Sequence, residues 1–409
     1  MKLLQLNVVY GVGSTGKIVR DIDHDVRVQG VTSLVGYGRG ARVEMQGVYK
    51  FCTEAEAAFQ KVCNRAGCLM YGGNRLSTHR LIGYIRAEQP DIVHIHCING
   101  YCVNIYRLLA FLADEKVRTV VTHHAEFFYT GSCGHAYDCL RFADMTDGCR
   151  HCPTPRAATG AWIARRSACA WTKMRRAFQA FDRRRLMFTA VSQWVAGRSQ
   201  LSPIVEGFAC RVVENGLDTS VFRPMPLPDA LRKRLPANGR KSVIHVTASF
   251  SDAADTFKGG DKIITLARRM PHVNFIIVSS FSSVTSSLPE NITVWGRAAS
   301  QTELAALYAW ADLTVIASRR ETFSMIVAES LCCGTPVVGF QAGGPESIAI
   351  AEYCDFVAYG DLEALERAAV TMLERRFDGG RMAQQAAARY SRERMVSEYL
   401  DVYRELLSR

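Results

Sequence analysis

Short aliphatic and β-branched runs alternate along the chain with longer stretches whose apolar positions recur at helical spacing. In the first half, the runs at 3–9, 32–37, 92–96, 119–122, 187–192 and 211–214 predict strands. Several end at small or polar residues that start a loop, where doubly wound folds place their ligands. Between 218 and 241 the pattern breaks at Pro224, Pro226, Pro228 and Pro236, the composition of an interdomain linker. A second series follows at 242–248, 274–279, 292–295, 313–317, 336–340 and 354–357, with helical patterns between, including 302–311 and 323–333. From about 361 the pattern stays helical to the last residue. Such alternation predicts parallel sheets, and 409 residues exceed what one core usually covers. The reading is α/β: two Rossmann-like domains facing a cleft, 1–222 and 241–391, joined by a linker at 223–240.

The loop after the first strand reads Gly11-Val12-Gly13-Ser14-Thr15-Gly16-Lys17. It fits a phosphate-binding P-loop up to the next position, where a Ser or Thr hydroxyl must ligate magnesium; Ile18 stands there. Gly11, Gly13 and Gly16 also fit a dinucleotide fingerprint, but the second strand ends in Tyr37, Gly38 and Arg39, with no acid to hold a ribose. A P-loop NTPase through 11–17 is therefore a minor alternative. What survives is a strand, a glycine turn and a helix N-terminus, which can let a substrate or phosphate of the donor approach the backbone at Gly13, the alternative being a structural turn with no ligand. Asp21, Asp23 and Asp25 imitate a D-x-D metal site, but they fall within the predicted first helix and read as its solvated face.

The segment 318–348 carries more chemistry. A strand ends, a polar loop follows and a helix starts near Phe323, with Glu321 just before it and Glu329 two turns into it. A carboxylate at that mouth can bind sugar hydroxyls. The N–H groups near Ser324 and Met325 point outward with the positive end of the helix dipole, which suits a diphosphate. Gly343-Gly344-Pro345-Glu346 makes another loop on the same side.

Composition and charge then narrow the setting. With 48% apolar and 22% charged residues the chain is that of a soluble globular protein. No apolar run approaches the roughly 18–20 residues of a membrane span, and no signal-type segment opens it, so the expected location is the cytoplasm. Fifty basic against 39 acidic side chains leave +11, part of it concentrated in 165–185. There Arg165, Arg166, Lys173, Arg175, Arg176, Arg183, Arg184 and Arg185 interleave with Trp162, Ile163, Trp171, Met174, Phe178 and Phe181. The pattern predicts an amphipathic helix with a basic face, either merely solvated or suited to anionic lipid or nucleic acid phosphates. Fourteen cysteines in a cytosolic chain argue against disulfides. Four of them, Cys133, Cys139, Cys149 and Cys152, end in a C-x2-C knuckle; they suit a structural zinc, with His135 and His151 as substitute ligands, or four reduced thiols in a packed loop.

Glu321 and Glu329 also form an E-x7-E pair, followed by Cys333-Gly334-Thr335-Pro336-Val337-Val338 and Gly343-Gly344. With PDIVHIH, AVSQWVA and ENGLDTSVFRP, this resembles the retaining GT-B glycosyltransferases of family 4 (glycosyltransferase group 1), and in particular bacterial capsular and exopolysaccharide enzymes of the colanic-acid type. The resemblance covers nearly the whole chain. It implies that Glu329 holds the ribose of a nucleotide-sugar, Glu321 contacts the donor sugar, and Lys258 neutralises the leaving diphosphate, so that catalysis needs no metal or cofactor. His124 matches a histidine that positions the donor sugar; its usual Asp neighbour is replaced by Ala125, with Glu126 as a substitute partner. His94 and His96 read as lining or core residues. Side chains near Arg297 would select the base. An arginine often found ahead of the lysine is absent, since Ser249, Phe250 and Ser251 stand there.

The resemblance further implies sugar transfer with retention, by front-face displacement, from a UDP- or GDP-sugar to a glycan acceptor, lipid-linked in this subset. A similar cysteine-bearing insertion occurs in the same subset. A last helix from about Arg392 to 409 is expected to cross back onto the first domain. Peripheral binding to an anionic membrane through 165–185 goes with a lipid carrier, and no nucleic acid partner is expected. The nearest rival within the fold is a nucleotide-sugar epimerase or a phosphorylase. A nucleic-acid-binding zinc module would leave Glu321, Glu329 and Lys258 unexplained.

Overall fold

The computed structural model describes residues 1–163 and 166–409. The chain divides into two compact units, Met1–Glu214 with Met395–Arg409, and Asn215–Arg394. Residues 223–240, read from sequence as a linker, lie in the second unit, where Asp229–Arg232 makes a helical turn.

The first unit holds β1 (Lys2–Asn7), β2 (Thr32–Tyr37), β3 (Val48–Lys50), β4 (Ile92–Ile95), β5 (Arg118–His123), β6 (Leu186–Ala190) and β7 (Ala209–Val212). They form one parallel sheet in the order β3-β2-β1-β4-β5-β6-β7. The order reverses between β1 and β4, so the loops leaving those two strands diverge and open a crevice at the strands' C-terminal ends. Leu3, Ile92, Val120 and Met187 of the sheet pack with Ile18, Ile22 and Val26 of the helix Gly13–Val28. Met395, Val396, Tyr399, Leu400, Tyr403 and Leu406 of the last helix, Arg392–Ser408, complete this core, an apolar face at helical spacing.

The same spacing corrects one expectation. Asp23 is 1% exposed, because it lies on the face of Ile22 and Val26. Its carboxylate accepts from the Tyr10 hydroxyl and from Arg27 Nε, both at 2.9 Å, which offsets the cost of burying it. Asp21 and Asp25 are half-buried rather than solvated.

The second unit repeats the scheme with β8 (Ser242–Ser251), β9 (Asn274–Ser283), β10 (Ile292–Gly296), β11 (Leu313–Ile316), β12 (Val337–Phe340) and β13 (Cys354–Val357). The parallel order is β10-β9-β8-β11-β12-β13, with the reversal between β8 and β11. Val243, Phe275, Ile277, Val315 and Val338 pack with Ile263, Leu266 and Ala267 of the helix Gly260–Arg269 and with Leu365, Ala369 and Met372 of the helix Leu362–Glu374. Ser249, Phe250 and Ser251 prolong β8 by pairing with Phe281, Ser282 and Ser283, and Phe250 is buried. Each unit is thus a Rossmann-like domain.

The basic segment forms the helix Ser167–Gln179, with Ala170, Trp171, Met174 and Phe178 inward and Lys173 and Arg176 exposed. Trp162 and Ile163 precede this helix instead of joining it, and are 64% and 78% exposed. Arg165 lies outside the described residues. Among the described residues no helix is long and apolar enough to cross a membrane.

Candidate active site

In the second unit, the loops after β8, β11 and β12 meet at the switch point. Arg319 N–H donates to the Phe257 carbonyl at 3.0 Å, tying the β8 loop to the β11 loop. Gly259 makes this approach feasible: a Cβ there would lie 2.1 Å from the Ala317 carbonyl oxygen. The result places Lys258 Nζ 2.6 Å from Glu321 Oε1, both side chains partly exposed. Glu321 is held at the backbone as well, its N–H donating to Ala342 O at 3.0 Å and its carbonyl accepting from Gly344 N–H at 2.8 Å. Gly344 sits where a Cβ would come within 2.4 Å of Phe323 N, so only glycine permits this contact. Glu346 stays structural, accepting from Ala342 N–H and Gly343 N–H at 2.9 and 2.7 Å.

The helix Met325–Cys332 begins just beyond Glu321. Its N-cap, Ser324, has φ +76°, a conformation that side chains rarely adopt, and its hydroxyl makes no capping bond. The residue is 7% exposed and its Oγ has no hydrogen-bond partner. A buried hydroxyl therefore stands unpaired at a helix N-terminus whose free N–H groups attract anions. Phe323 beneath it is buried and meets Tyr390 edge-on, with ring centroids 6.4 Å apart. Met325 is partly accessible. Glu329, half-buried one face along, accepts from the Tyr308 hydroxyl at 3.1 Å. Burial, followed by the neighbouring Glu329 charge, pushes the Tyr308 phenol well up, so it remains a donor. Arg297 is exposed just past β10. Lys258, Glu321, Ser324 and Glu329 therefore share one end of one sheet.

In the first unit, Gly11 and Gly13 have φ of +73° and +67°, and Gly11 N–H closes the turn onto Gly16 O at 2.8 Å. No atom lies within 4 Å of a Cβ built on Gly13, so that approach is open. Ile18 is buried in the core, which leaves no oxygen for a P-loop metal. Of the two neighbouring histidines, His123 is fully buried, stacked on Phe188 at 5.0 Å and edge-on to Tyr129, with neither ring nitrogen hydrogen-bonded. It is a packing residue. His124, one residue past β5, is 8% exposed and sits 3.0 Å from His96 through its Nε2. Burial depresses His123 and His124 to about 3, and His94 and His96 well below the ordinary histidine value, so all four rings are neutral at pH 7.

Glu126 does not take the role expected beside His124. Its carboxylate, fully buried, accepts from Arg198 Nε at 2.6 Å, the Tyr129 hydroxyl at 2.8 Å and Ala136 N–H at 2.6 Å. Arg198 also donates to Tyr137 O and Cys139 O, so this ion pair anchors the cysteine-bearing loop. Cys133, Cys139, Cys149 and Cys152 line one cavity of about 20 Å³, closed by Thr130, Phe142 and Pro153. Burial, with the other thiols nearby, pushes Cys133 up to about 12. As the side chains stand, no group of three or more His, Cys, Asp or Glu among the described residues is gathered closely enough to hold a metal ion. His151 is engaged by Asp147 at 2.7 Å. A wider recess of about 720 Å³ beside β3, lined by Arg42, Lys50, Glu54 and Arg80 among others, contains none of the expected site residues.

Residues 261–375, within the second unit, match the family model of glycosyl transferases group 1. The whole chain is similar to the Escherichia coli K12 protein WcaC, named as a glycosyl transferase of colanic acid biosynthesis: 23% identical over 436 residues, covering 99% of this chain and 100% of that protein. Among solved structures, sucrose-phosphate synthase from Thermosynechococcus elongatus superposes with a TM-score of 0.68 at 15% identity, covering 100% and 99% of the two chains. Anabaena HepE in complex with UDP-glucose superposes at 0.62 and 17% identity, covering 98% of this chain and 100% of that one.

Proposed function

We propose that this chain, two Rossmann-like domains with a group 1 glycosyl transferase domain in the second, is a retaining glycosyltransferase. It moves a sugar from a UDP- or GDP-sugar to a glycan acceptor, lipid-linked, in the assembly of a bacterial surface polysaccharide. The observation that carries the reading is the end of β11, where an unpaired buried hydroxyl, a helix N-terminus, a lysine and two carboxylates converge within one unit. These groups match the parts of a nucleotide-sugar. Glu329 would take the ribose hydroxyls, with Tyr308 fixing one of its oxygens. Ser324 Oγ and the N–H groups at Met325 would bind the diphosphate. Lys258 would leave Glu321 for the phosphate, freeing Glu321 to accept from sugar hydroxyls.

In the reaction the bond from the anomeric carbon to the diphosphate oxygen breaks, and the acceptor oxygen bonds to the same face of that carbon. The acceptor's proton passes to the departing diphosphate. Lys258 and the helix N-terminus stabilise the charge that builds on this leaving group, a fixed field that needs no rearrangement during the step. Arg319 and Arg320, beside Glu321, are the nearest candidates for a second phosphate cation. The acceptor side is proposed for the loops of the first unit, including the cysteine-bearing loop that follows His124. The polysaccharide reading draws on the likeness to WcaC.

For the membrane, the exposed Trp162 and Ile163 ahead of a helix bearing Lys173 and Arg176 support peripheral docking on an anionic inner leaflet. The four cysteines are proposed to hold a structural zinc, since their thiols line one cavity near the size of a single ion; their sulfurs would have to close inward to ligate it. The test of function is thermal unfolding with UDP, GDP, dTDP, and magnesium-ATP or magnesium-GTP, each with and without EDTA. Stabilisation by one nucleoside diphosphate that survives EDTA is expected, lost in Glu329→Ala. Stabilisation by magnesium triphosphates alone would overturn it.

A further inference from the structure

One helix of the first unit, Glu54–Arg65, is turned inside out. Its buried residues are Ala57 and two amides, Gln60 and Asn64. Ala55, Phe59 and Val62 face water instead, at the spacing that puts side chains on one helical face. Phe59 is 69% exposed and Val62 62%. Hydrogen bonds fix this orientation. Asn64 Nδ2–H donates to the Thr159 carbonyl at 2.7 Å, and Gln60 Oε1 accepts from Asn74 N–H at 3.2 Å. Rolling the helix to bury Phe59 would break both.

The same region gathers two other segments. Trp162 N–H donates to the Arg65 carbonyl at 2.9 Å, and the Arg65 guanidinium lies 5.1 Å from the centre of the Trp162 ring. The exposed Trp162 and Ile163 therefore stand at the C-terminal end of the helix. Asn74, tied to Gln60, precedes the helix Arg75–Glu88, whose first turn exposes Arg75 and Leu76. Charge is divided in the same way. The chain has 39 acidic side chains, about one residue in ten, yet 57–87 and 148–181 contain no Asp or Glu. These stretches hold five and seven Lys or Arg, and they are the two that Asn64 and Trp162 join. Glu54 and Glu56, at the start of the helix, are occupied by Arg39, Lys50 and Arg80.

We propose that the outer face of Glu54–Arg65, with Trp162 beside it, is the surface that lies on an anionic bilayer. Phe59, Val62 and Trp162 enter the boundary between headgroups and acyl chains, while Lys61, Arg65 and Arg75 meet lipid phosphates. A nucleic acid would answer the cations and leave the apolar side chains in water, so lipid is the better match. This rests on the membrane docking proposed above and moves its anchor away from the helix Ser167–Gln179 to an element that carries no cluster of basic residues of its own.

The test is co-sedimentation of the full chain with phosphatidylcholine vesicles, either pure or containing about 30% phosphatidylglycerol. Binding is expected only with phosphatidylglycerol and should weaken as salt rises from about 0.1 to 1 M. Phe59→Ser/Val62→Ser should weaken it roughly 10- to 100-fold, the worth of one or two apolar side chains left in water, and Phe59→Leu should retain it. Val28→Ser, an exposed apolar residue on the helix Gly13–Val28, should change nothing. Because Phe59 and Val62 face water, the double variant should keep the parent's unfolding midpoint; a fall of several degrees would show them packed and overturn the proposal. Full binding by Phe59→Ser/Val62→Ser, with loss in Lys173→Gln/Arg176→Gln, would also overturn it and leave docking with the basic helix. No binding by the parent to either vesicle would overturn both readings. A concentration-dependent dimer that disappears in Phe59→Ser/Val62→Ser, without vesicle binding, would give the face to a second copy of the chain instead.

Discussion

Replacing Ser324 by glycine should make the ligand-free protein more stable and its nucleotide complex weaker. A non-glycine residue at positive φ costs about 1–2 kcal/mol, and Ser324 holds φ at +76°. Its hydroxyl, buried without a partner, costs about 1–3 kcal/mol more in lost hydration. Glycine removes both terms and returns about 0.5–1 kcal/mol through the greater freedom of the unfolded chain. The net gain is about 1–4 kcal/mol, and at roughly 2–4 °C per kcal/mol for a domain of this size the midpoint should rise by several degrees. With a diphosphate bound, the hydroxyl becomes a donor to a charged oxygen, worth about 1.5–3 kcal/mol. Ser324→Gly should therefore weaken UDP or GDP binding by roughly 10- to 100-fold. Scanning calorimetry without ligand and titration calorimetry with each nucleotide separate the two effects. A lowered midpoint would refute the strain argument, and an unchanged Kd would refute the diphosphate assignment.

Three further outcomes are expected. Arg198→Met leaves the Glu126 charge buried and uncompensated and should cost about 3–5 kcal/mol, much of it recovered in the Glu126→Gln/Arg198→Met double variant; a single variant within 1 kcal/mol of the parent in urea denaturation would mean the clamp holds nothing. The buried histidines bind protons far less readily folded than unfolded, where their pKa is near 6.5. Stability is therefore full above that pH and falls on acidification toward about 3, by about 1.4 kcal/mol per pH unit for each histidine involved. His123→Phe should flatten that slope by about one proton, and an unchanged slope between about pH 6 and 4 would refute the assignment. Metal analysis of protein purified without chelator should find about one zinc per chain, lost with a drop in midpoint in Cys149→Ser; a metal-free protein with an unchanged midpoint would leave the cavity as packed thiols.

Much of the fold is legible because buried parallel strands are apolar runs bounded by turn residues, as at 313–317 and 336–340. The strand Val48–Lys50 escapes that logic: it is three residues long, half-buried and at the sheet edge. Asp23 escapes for another reason, since a carboxylate at an inward helical position signals its burial only through partners, Tyr10 and Arg27, that lie at different separations. The prolines between 224 and 236 mark irregular backbone correctly, but irregular backbone can pack within a unit as well as between two. In the site, the E-x7-E spacing gives a helix with one carboxylate ahead of its start and the other within it. Sequence cannot show that Lys258 meets Glu321, because the contact depends on Gly259 and Gly344 letting three loops touch. Nor can it show Gln5, an ordinary polar residue in an apolar run, whose partners are His96 just past β4 and the Val19 carbonyl in the first helix.

The ion pair between Lys258 and Glu321 gives the resting site a property neither residue has alone. Each neutralises the other, so the two side chains together add little net charge to the mouth of the β11 loop. Inorganic phosphate could claim the lysine only by stranding the glutamate, and a free sugar could claim the glutamate only by stranding the lysine. A molecule that carries an anion and hydroxyls at the right separation satisfies both at once and loses nothing. On the function proposed above, the pair would behave as a two-key latch, favouring the complete donor over either half-ligand.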